Sequence, residues 1–326
     1  MIVKKKTILS ILLFALVGCT TPLSAEPHEL VVSEYLLVGQ PDISTDRLEF
    51  RFINGDQKEI LKQTEDSRDF RSQAATYNSM ALGPFGYSFE DSYQYAQILH
   101  GDTVIANDVL FMRPISVNAS RTDFIGIVEQ HDGTYVFTKN SFEKRVWPPE
   151  REAYGYVGDK LLSMETISMA HEELLIKVYL DDPMVYESPI LAGHPTYGLT
   201  DGPWTYKDHW ALAILDGERV AQGEIASRNR IVQDGQDLNT THGYEQSFQF
   251  AVLDERPFYF FQKEEKIGFS FDGKEFLQGY DEIPHYNCCS GALLNPRISM
   301  TMIWFFARRG EDWYYVEAYV PINKSQ

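Results

Sequence analysis

The sequence FYFFQKEEKIGFSFD, residues 258–272, decides the fold. An aromatic run leads into charged residues at 263–266, and beyond them Ile267, Phe269 and Phe271 occupy every second position. Apolar residues at alternate positions are typical of a strand with one buried face, and a charged break between two such runs predicts a β-hairpin. Because one hairpin is at best marginally stable in water, its apolar face needs neighbouring strands.

Similar two-stranded signals recur along the chain, with turn residues between apolar runs. Their centres lie near residues 55, 101, 158, 216, 264 and 310. A further hairpin at Asp132-Gly133 is assigned to the same unit as the one at Gly101. The centres span residues 55–310 in five intervals, a mean of 51 residues, which is room for four short strands. Repeats of about this length with several strands each are typical of propeller blades.

Over residues 30–321 the chain therefore resembles β-propeller-type repeat proteins, in its pattern of strands rather than in a shared motif. The resemblance implies an all-β fold, a β-propeller of about six blades. Ring closure then predicts that residues 30–38 pair with strands near residues 314–319, which hides both sheet edges. Paired β-sandwiches and a mixed α+β fold are the alternatives. Residues 56–80 fit a helical segment or a long loop, and residues 89–98 also fit a short helix.

The composition favours a β fold, and the net charge argues against nucleic acids and anionic lipid surfaces as partners. The 326 residues suffice for one large β domain or two smaller ones. With 19 Tyr, 20 Phe and 5 Trp, the chain is rich in residues that favour pleated surfaces. The formal net charge is −18, and removal of residues 1–18, with three lysines and no acid, leaves 26 basic and 47 acidic residues, a net of −21. Such a surface repels nucleic acids and anionic lipid headgroups.

The N-terminus holds the most specific motif. Three lysines at positions 4–6 precede an apolar run at 7–17, which is too short to span a bilayer comfortably. The run ends in Leu16-Val17-Gly18-Cys19, which resembles the lipobox of bacterial lipoproteins at all four positions. The resemblance implies export, cleavage before Cys19 and acylation of that cysteine. The alternatives are an ordinary signal peptide that ends in cysteine and a short membrane anchor.

These patterns give a domain organisation and a location. Residues 1–18 are predicted to be a lipoprotein signal peptide, residues 19–28 a tether, and residues 29–322 a β-propeller-like domain. The expected location is the bacterial cell envelope, outside the cytoplasm. The membrane is then a partner through the N-terminal lipid.

Residues 281–297, DEIPHYNCCSGALLNPR, show little periodicity and concentrate chemically capable side chains, so they are predicted to form a binding loop. The candidate residues are Asp281, Glu282, His285, Tyr286, Cys288, Cys289 and Arg297. The two adjacent cysteines fit a vicinal disulfide, a soft-metal site with His285, or small buried hydrophobic side chains. We predict neither a metal nor a cofactor.

A second candidate loop covers residues 191–210 and contains aromatic residues beside carboxylates, a combination that suits sugar stacking or glycoside chemistry. Its candidates are His194, Asp201, Trp204, Asp208 and His209. The favoured interpretation is a turn-rich connection with Trp204 in the core. Residues 234–245 place acids at the first and twelfth positions of a calcium loop but lack the ligands between them.

The sequence contains no GxSxG, HExxH, P-loop or dinucleotide-binding motif. We therefore expect a lipid-anchored binding or interaction module with a protein or glycan ligand. An extracytoplasmic hydrolase acting on glycans is the alternative, and a purely structural envelope protein is a third possibility. The sequence alone does not decide whether the protein is an enzyme.

Overall fold

The structure is a computed structural model of the chain. It describes residues 29–41, 69–91, 96–145, 151–169, 173–191, 198–219, 225–285 and 295–321. The predicted signal peptide and the whole predicted tether, which begins at Cys19, lie outside the described residues. Within these ranges, neither α-helix is long and apolar enough to cross a membrane.

The described residues are mostly in strands. In chain order the strands are β1 (Val31–Leu36), β2 (Tyr87–Asp91), β3 (Ala96–His100), β4 (Thr103–Met112), β5 (Ser116–Val117), β6 (Phe124–Gln130), β7 (Gly133–Thr138), β8 (Phe142–Lys144), β9 (Glu152–Val157), β10 (Lys160–Ser168), β11 (Leu174–Leu180), β12 (Met184–Glu187), β13 (Gly198–Tyr206), β14 (His209–Arg219), β15 (Ile225–Gln233), β16 (Gln236–Asp237), β17 (Gln246–Leu253), β18 (Arg256–Lys263), β19 (Lys266–Phe271), β20 (Lys274–Tyr280), β21 (Arg297–Ile298), β22 (Met302–Arg309) and β23 (Asp312–Tyr319). The helices are α1 (Phe70–Leu82), which continues into a 3-10 turn at Gly83–Phe85, and α2 (Leu238–His242).

Within the described residues these strands form five antiparallel sheets, which we number as blades I to V. Blade I is the largest, with β2, β3, β4, β6, β7 and β8 in that order and β5 on β6. Blades II, III and IV are four-stranded meanders made of β9 to β12, β13 to β16 and β17 to β20. Blade V holds β21, β22 and β23 and is completed by β1.

Neighbouring blades contact one another in chain order, because β9 contacts both β6 and β13, β13 contacts β17, and β20 contacts β22. Sheets that pack in this way around a shared axis are the blades of a propeller. The all-β, propeller-like prediction is confirmed, and the paired β-sandwiches are not found. The count of about six blades stays a prediction, since the described residues hold five sheets and the hairpin expected at residue 55 lies outside them.

The N-terminal strand closes the last blade. All six residues of β1 pair with β23, in a register that runs from Val31 opposite Tyr319 to Leu36 opposite Tyr314. The predicted pairing of residues 30–38 with the C-terminal strand is therefore confirmed. This pairing covers an edge of β23 that would otherwise present unpaired backbone groups.

The hairpin of residues 258–272 is confirmed as β18 and β19. Lys263 pairs with Lys266 across a two-residue turn in which Glu264 and Glu265 both have positive φ, at 53° and 60°. Positive φ at both central positions gives the twist that suits a two-residue hairpin. The apolar residues of both strands are buried, and Phe260 packs edge-on against Phe305 of blade V at 4.8 Å between ring centroids. The hairpin thus joins blade IV to blade V.

Three local predictions have different outcomes. The turn expected at Asp216-Gly217 is wrong, because β14 continues through both residues and their partners are Arg228 and Ser227 of β15. The short helix considered for residues 89–98 is also wrong, since β2 and β3 pair across them. The Asp132-Gly133 hairpin does belong to the same sheet as the hairpin at Gly101, as predicted.

Helix α1 accounts for the helical segment expected within residues 56–80, although it extends to residue 82. Asp69 caps it by accepting a hydrogen bond from the backbone of Ser72 at 3.0 Å. The buried side chain of Asn78 holds the helix to blade I by accepting from the backbone N–H of Ile115 at 2.8 Å. Burial, and then the nearby carboxylate of Glu255, raise the pKa of Tyr77. The helix therefore lies near a turn of blade IV as well as on blade I.

Candidate functional site

One end of the propeller carries the turns between the first and second strands of each blade, and those between the third and fourth. An antiparallel meander places both kinds of turn at the same end, which we call the cleft end. Turns of neighbouring blades touch there, since the backbone N–H of Asp254 donates to the carbonyl of Met300 at 2.9 Å. The chain enters β1 at this end too, because Val320, next to the partner of Val31, donates to Thr301 in the first turn of blade V.

A cleft of about 420 Å³ lies between blades III and IV at this end. Its floor is formed by Tyr206, Leu238 and Tyr259, which are 6%, 6% and 4% exposed. Exposed polar and charged side chains form most of the rim, namely Lys207, His209, Asp234, Gln236, Thr241, His242, Glu255 and Asp272. The volume falls within the range of small-molecule sites, and the combination of an apolar floor with a few polar groups is typical of them.

His209 and Asp234 form an ordered pair on the rim. The Nδ1 of His209 lies 2.7 Å from Oδ2 of Asp234, while Oδ1 of that carboxylate accepts from the backbone N–H of Trp210 at 3.0 Å. The imidazole also lies over Tyr206, with 5.5 Å between ring centroids. The pair therefore holds the start of β14 against the turn after β15. The other ring nitrogen of His209, Nε2, takes no part in this pair.

The hydroxyl of Tyr206 is buried and forms no hydrogen bond with any group in the part of the chain that the structure describes. Burial, followed by the charges of Asp234, Tyr259 and Asp272, raises its pKa, so the phenol stays protonated at neutral pH. Its ring packs on Phe250 at 5.9 Å. The floor of the cleft thus contains a protonated phenol, in a cleft that Asp234 and Asp272 also line.

Helix α2 contributes one wall. Asp237 caps its start by accepting from the backbone of Asn239 and Thr240 at 2.8 and 3.2 Å. Gly243, with φ of 69°, ends the helix in a left-handed conformation that glycine adopts without strain. These two caps fix a single turn of helix that presents Thr241 and His242 to the cleft.

The described residues of the predicted binding loop, 281–285 and 295–297, do not line the cleft, and the first two candidates among them contact the neighbouring hairpins. Asp281 accepts hydrogen bonds from the Lys266 ammonium and the backbone N–H of Gly310. The same two groups lower its pKa. Glu282 accepts from Arg308 Nε at 2.9 Å, and the backbones of these two residues form an isolated bridge. These contacts connect the loop to the hairpins of blades IV and V.

His285 lies half-buried between blades III and IV. Its Nδ1 lies 2.8 Å from the carbonyl oxygen of Ile283 and therefore carries the proton, so that Nε2 accepts from Asn229 at 3.3 Å. The ring stacks on Phe248 at 3.9 Å between centroids. Burial lowers the pKa of His285, which keeps the imidazole neutral. The surroundings of this histidine are those of a packing residue.

Some of the remaining candidates of the two predicted loops lie outside the described residues, and others lie within them. Tyr286, Cys288, Cys289 and His194 lie outside the described residues, as does the side chain of Asp201. Arg297 is exposed in β21, opposite Trp304, and does not line the cleft.

In the second predicted loop, residues 198–206 form strand β13 instead of a loop. Trp204 is half-buried and packs on Phe250 at 5.0 Å, so the favoured interpretation was wrong about a turn-rich connection and right only that Trp204 packs against the core. Asp208 is exposed at the turn into β14, and His209 alone of this set lines the cleft.

Sequence reasoning missed Asp272 and Tyr206, and it considered Asp234 only as the first acid of an incomplete calcium loop. Two of them follow a recognisable signal, because Asp234-Gly235 and Asp272-Gly273 are Asp-Gly turns that join the third and fourth strands of their blades. Equivalent turns of successive blades lie at the same end of a propeller. A comparison of these turns across the repeat, rather than a search for unusual loops, would have placed both carboxylates together.

No protein-family model matches the chain, and no curated protein matches it. A structure described as the beta-propeller domain of the Trilobed protease from Pyrococcus furiosus, with an open velcro topology, is 9% identical. The match covers 73% of this chain and 77% of that one, with a TM-score of 0.33. A structure from a study of two prolyl endopeptidases is 9% identical, covers 82% of this chain and 57% of that one, and has a TM-score of 0.26. Similarity this weak says nothing about activity, and the propeller architecture is evident from the strand order and register of the chain itself.

Proposed function

We propose that the protein is a lipid-anchored binding module of the bacterial cell envelope, and that the cleft between blades III and IV is its binding site. The observation that carries the proposal is the coincidence of two features at one end of the propeller. The chain enters β1 at the cleft end, and the cleft itself opens between the turns of that end.

The tether limits how far the cleft can lie from its anchor. Residues 19–28 are ten residues, and an extended chain spans at most about 3.5 Å per residue, so Cys19 lies within about 35 Å of the start of the domain. The net charge of −21 after residue 18 opposes direct adsorption onto anionic lipids. A ligand would therefore be held close to the membrane without the domain lying on the bilayer.

The anchor proposal is supported by Leu16-Val17-Gly18-Cys19 and the preceding basic and apolar segments. Each buried CH₂ of an acyl chain contributes about 0.8 kcal/mol, and stable anchoring takes more than one chain. The hydrolase alternative gains no support from the cleft: its ordered carboxylate, Asp234, is engaged by His209 and by a backbone N–H.

Fractionation of cells that express the full chain tests the proposal. The wild type is expected in the membrane fraction and labelled by a fatty-acid analogue, whereas Cys19→Ser is expected to lose the label and leave that fraction. Because Ser10→Ala changes a residue of the apolar run without touching the lipobox, it serves as the control and should behave as wild type. Retention of unlabelled Cys19→Ser in the membrane would contradict lipid anchoring.

A further inference from the structure

The cleft between blades III and IV has an unbalanced set of charges. Three carboxylates, those of Asp234, Glu255 and Asp272, face a single ammonium, that of Lys207. With neutral histidines the side chains of the cleft carry a net charge of about −2. Two exposed carboxylates of the set, Glu255 and Asp272, form no ion pair or hydrogen bond with other described side chains.

The buried hydroxyl of Tyr206 is a second and independent feature of the same cleft. The residue is 94% buried and lines the cleft, and its oxygen has no hydrogen-bond partner among the described groups. Buried polar groups in folded proteins are almost always hydrogen-bonded. An oxygen that can accept two hydrogen bonds, in a cleft that carboxylates also line, matches a ligand that is rich in donors.

The side chains that line the cleft suit an organic cation better than a metal ion. In the described part of the chain, no three His, Cys, Asp or Glu side chains are grouped closely enough to hold a metal ion. The floor offers Leu238 and two tyrosine rings, which suit methylene groups and the face of an organic cation. An ammonium group carries three donors and no acceptor, so it complements carboxylates and a phenol oxygen.

We propose that this cleft binds a short aliphatic diamine, whose ammonium groups contact the Tyr206 oxygen and rim carboxylates that include Asp272, with the methylene chain on the floor. Two positive charges balance the net charge of the cleft. This inference deepens the proposed binding function and rests on it only for the choice of site. It names a ligand class that the fold alone does not indicate.

The test is isothermal titration of the full-length protein, in a non-ionic detergent at low salt, with 1,4-diaminobutane. Two probes report on chemistry: 1,4-butanediol has the same chain without charge, and Mg²⁺ has the same charge without the chain. We expect the diamine to bind, and the diol and Mg²⁺ to bind at least tenfold more weakly.

Three variants locate the binding. Asp272→Asn is expected to raise the diamine Kd roughly tenfold, because a charge-assisted hydrogen bond becomes a neutral one. Tyr206→Phe removes only the hydroxyl and is expected to raise the Kd severalfold while leaving Tm unchanged or higher. Asp312→Asn makes the same charge change at an exposed residue outside the cleft and is expected to leave the Kd unchanged.

Absence of diamine binding at millimolar concentration would overturn the inference, and so would equal weakening by Asp272→Asn and Asp312→Asn. Equal binding of the diol would show that hydroxyl groups rather than cations are recognised. Each of these results can occur while Cys19→Ser still leaves the membrane fraction. Failure of the diamine proposal is therefore distinguishable from failure of lipid anchoring.

Discussion

Replacement of Glu34 by alanine is expected to loosen the N-terminal strand from blade V. Glu34 lies in β1 with a side chain that is only 25% exposed. It accepts hydrogen bonds from Arg309 Nη1 and Nη2 at 3.3 and 2.9 Å and another from the hydroxyl of Tyr280. The carboxylate thus joins three elements: β1, the end of β22 and the last residue of β20.

The magnitude follows from what the substitution leaves behind. Tyr280 is fully buried, and a buried hydroxyl that loses its acceptor costs about 1–3 kcal/mol. The ion pair with Arg309, whose side chain is 36% exposed, contributes at most about 1 kcal/mol. We therefore expect Glu34→Ala to lower the free energy of unfolding by about 2 kcal/mol.

Urea unfolding of the full-length chain measures that loss, and hydrogen exchange of the β1 amides shows where it arises. Glu29→Ala is the matched control, because this carboxylate lies two residues before β1, is 84% exposed and lies 3.5 Å from Lys274. Its loss is expected to stay within about 0.5 kcal/mol. Glu34→Ala should speed exchange in β1 more than in β18.

Equal effects of Glu34→Ala and Glu29→Ala would refute the reasoning, as would unchanged protection of the β1 amides. A double-mutant cycle with Tyr280→Phe gives a second check. If the hydroxyl of Tyr280 and the carboxylate of Glu34 stabilise each other, the coupling energy should exceed about 0.5 kcal/mol. A value near zero would assign the stabilisation to Arg309 alone.

Three further substitutions test the packing and the linkage of stability to pH. Phe260→Ala should lower the free energy of unfolding, measured in urea, by about 3–5 kcal/mol. Leu277 is 72% exposed, so Leu277→Ala should lower it by less than about 0.5 kcal/mol. Similar losses for the two variants would contradict the assigned core. Gly268→Ala places a methyl group 2.5 Å from a backbone oxygen and should lower Tm, whereas Gly83→Ala meets nothing within 4 Å and should not. Burial lowers the pKa of His285 in the folded protein. At a pH near 6.5 the unfolded chain therefore takes up a proton on this histidine that the folded chain does not bind. Stability should then fall as the pH drops below about 6.5, and His285→Gln should flatten that slope; an identical slope would exclude this histidine.

The sequence pattern was sufficient to predict those features whose residues all lie within one short segment. The hairpin of residues 258–272 has its apolar alternation and its charged turn within fifteen residues, and both are found as expected. The same logic failed at Asp216-Gly217, because an Asp-Gly pair permits a turn without requiring one. There the ladder of β14 and β15 continues to Arg219 opposite Ile225, and long-range pairing overrides the local signal.

The site was harder to predict because no single segment contains it. Its rim combines Lys207 and His209, Asp234, and Asp272, which come from turns of two different blades. The concentration of reactive and charged side chains in residues 281–297 pointed instead to Asp281. Its carboxylate accepts hydrogen bonds from Lys266 and from the backbone of Gly310, and so it holds the start of a loop in place. Charged side chains close together in sequence often serve local anchoring, whereas a cleft between repeats collects residues that are dozens of positions apart.

The pairing of β1 with β23 has a consequence for how the chain matures. A polypeptide that crosses a membrane from its N-terminus delivers Val31–Leu36 first and Asp312–Tyr319 last. The first strand must therefore wait, with its backbone groups in water, until almost the whole polypeptide has emerged. Sequence separations this large slow folding and lengthen exposure to aggregation. Chains that stop before residue 312 would leave the first strand without its partner, so an incomplete molecule is marked by that one uncovered segment.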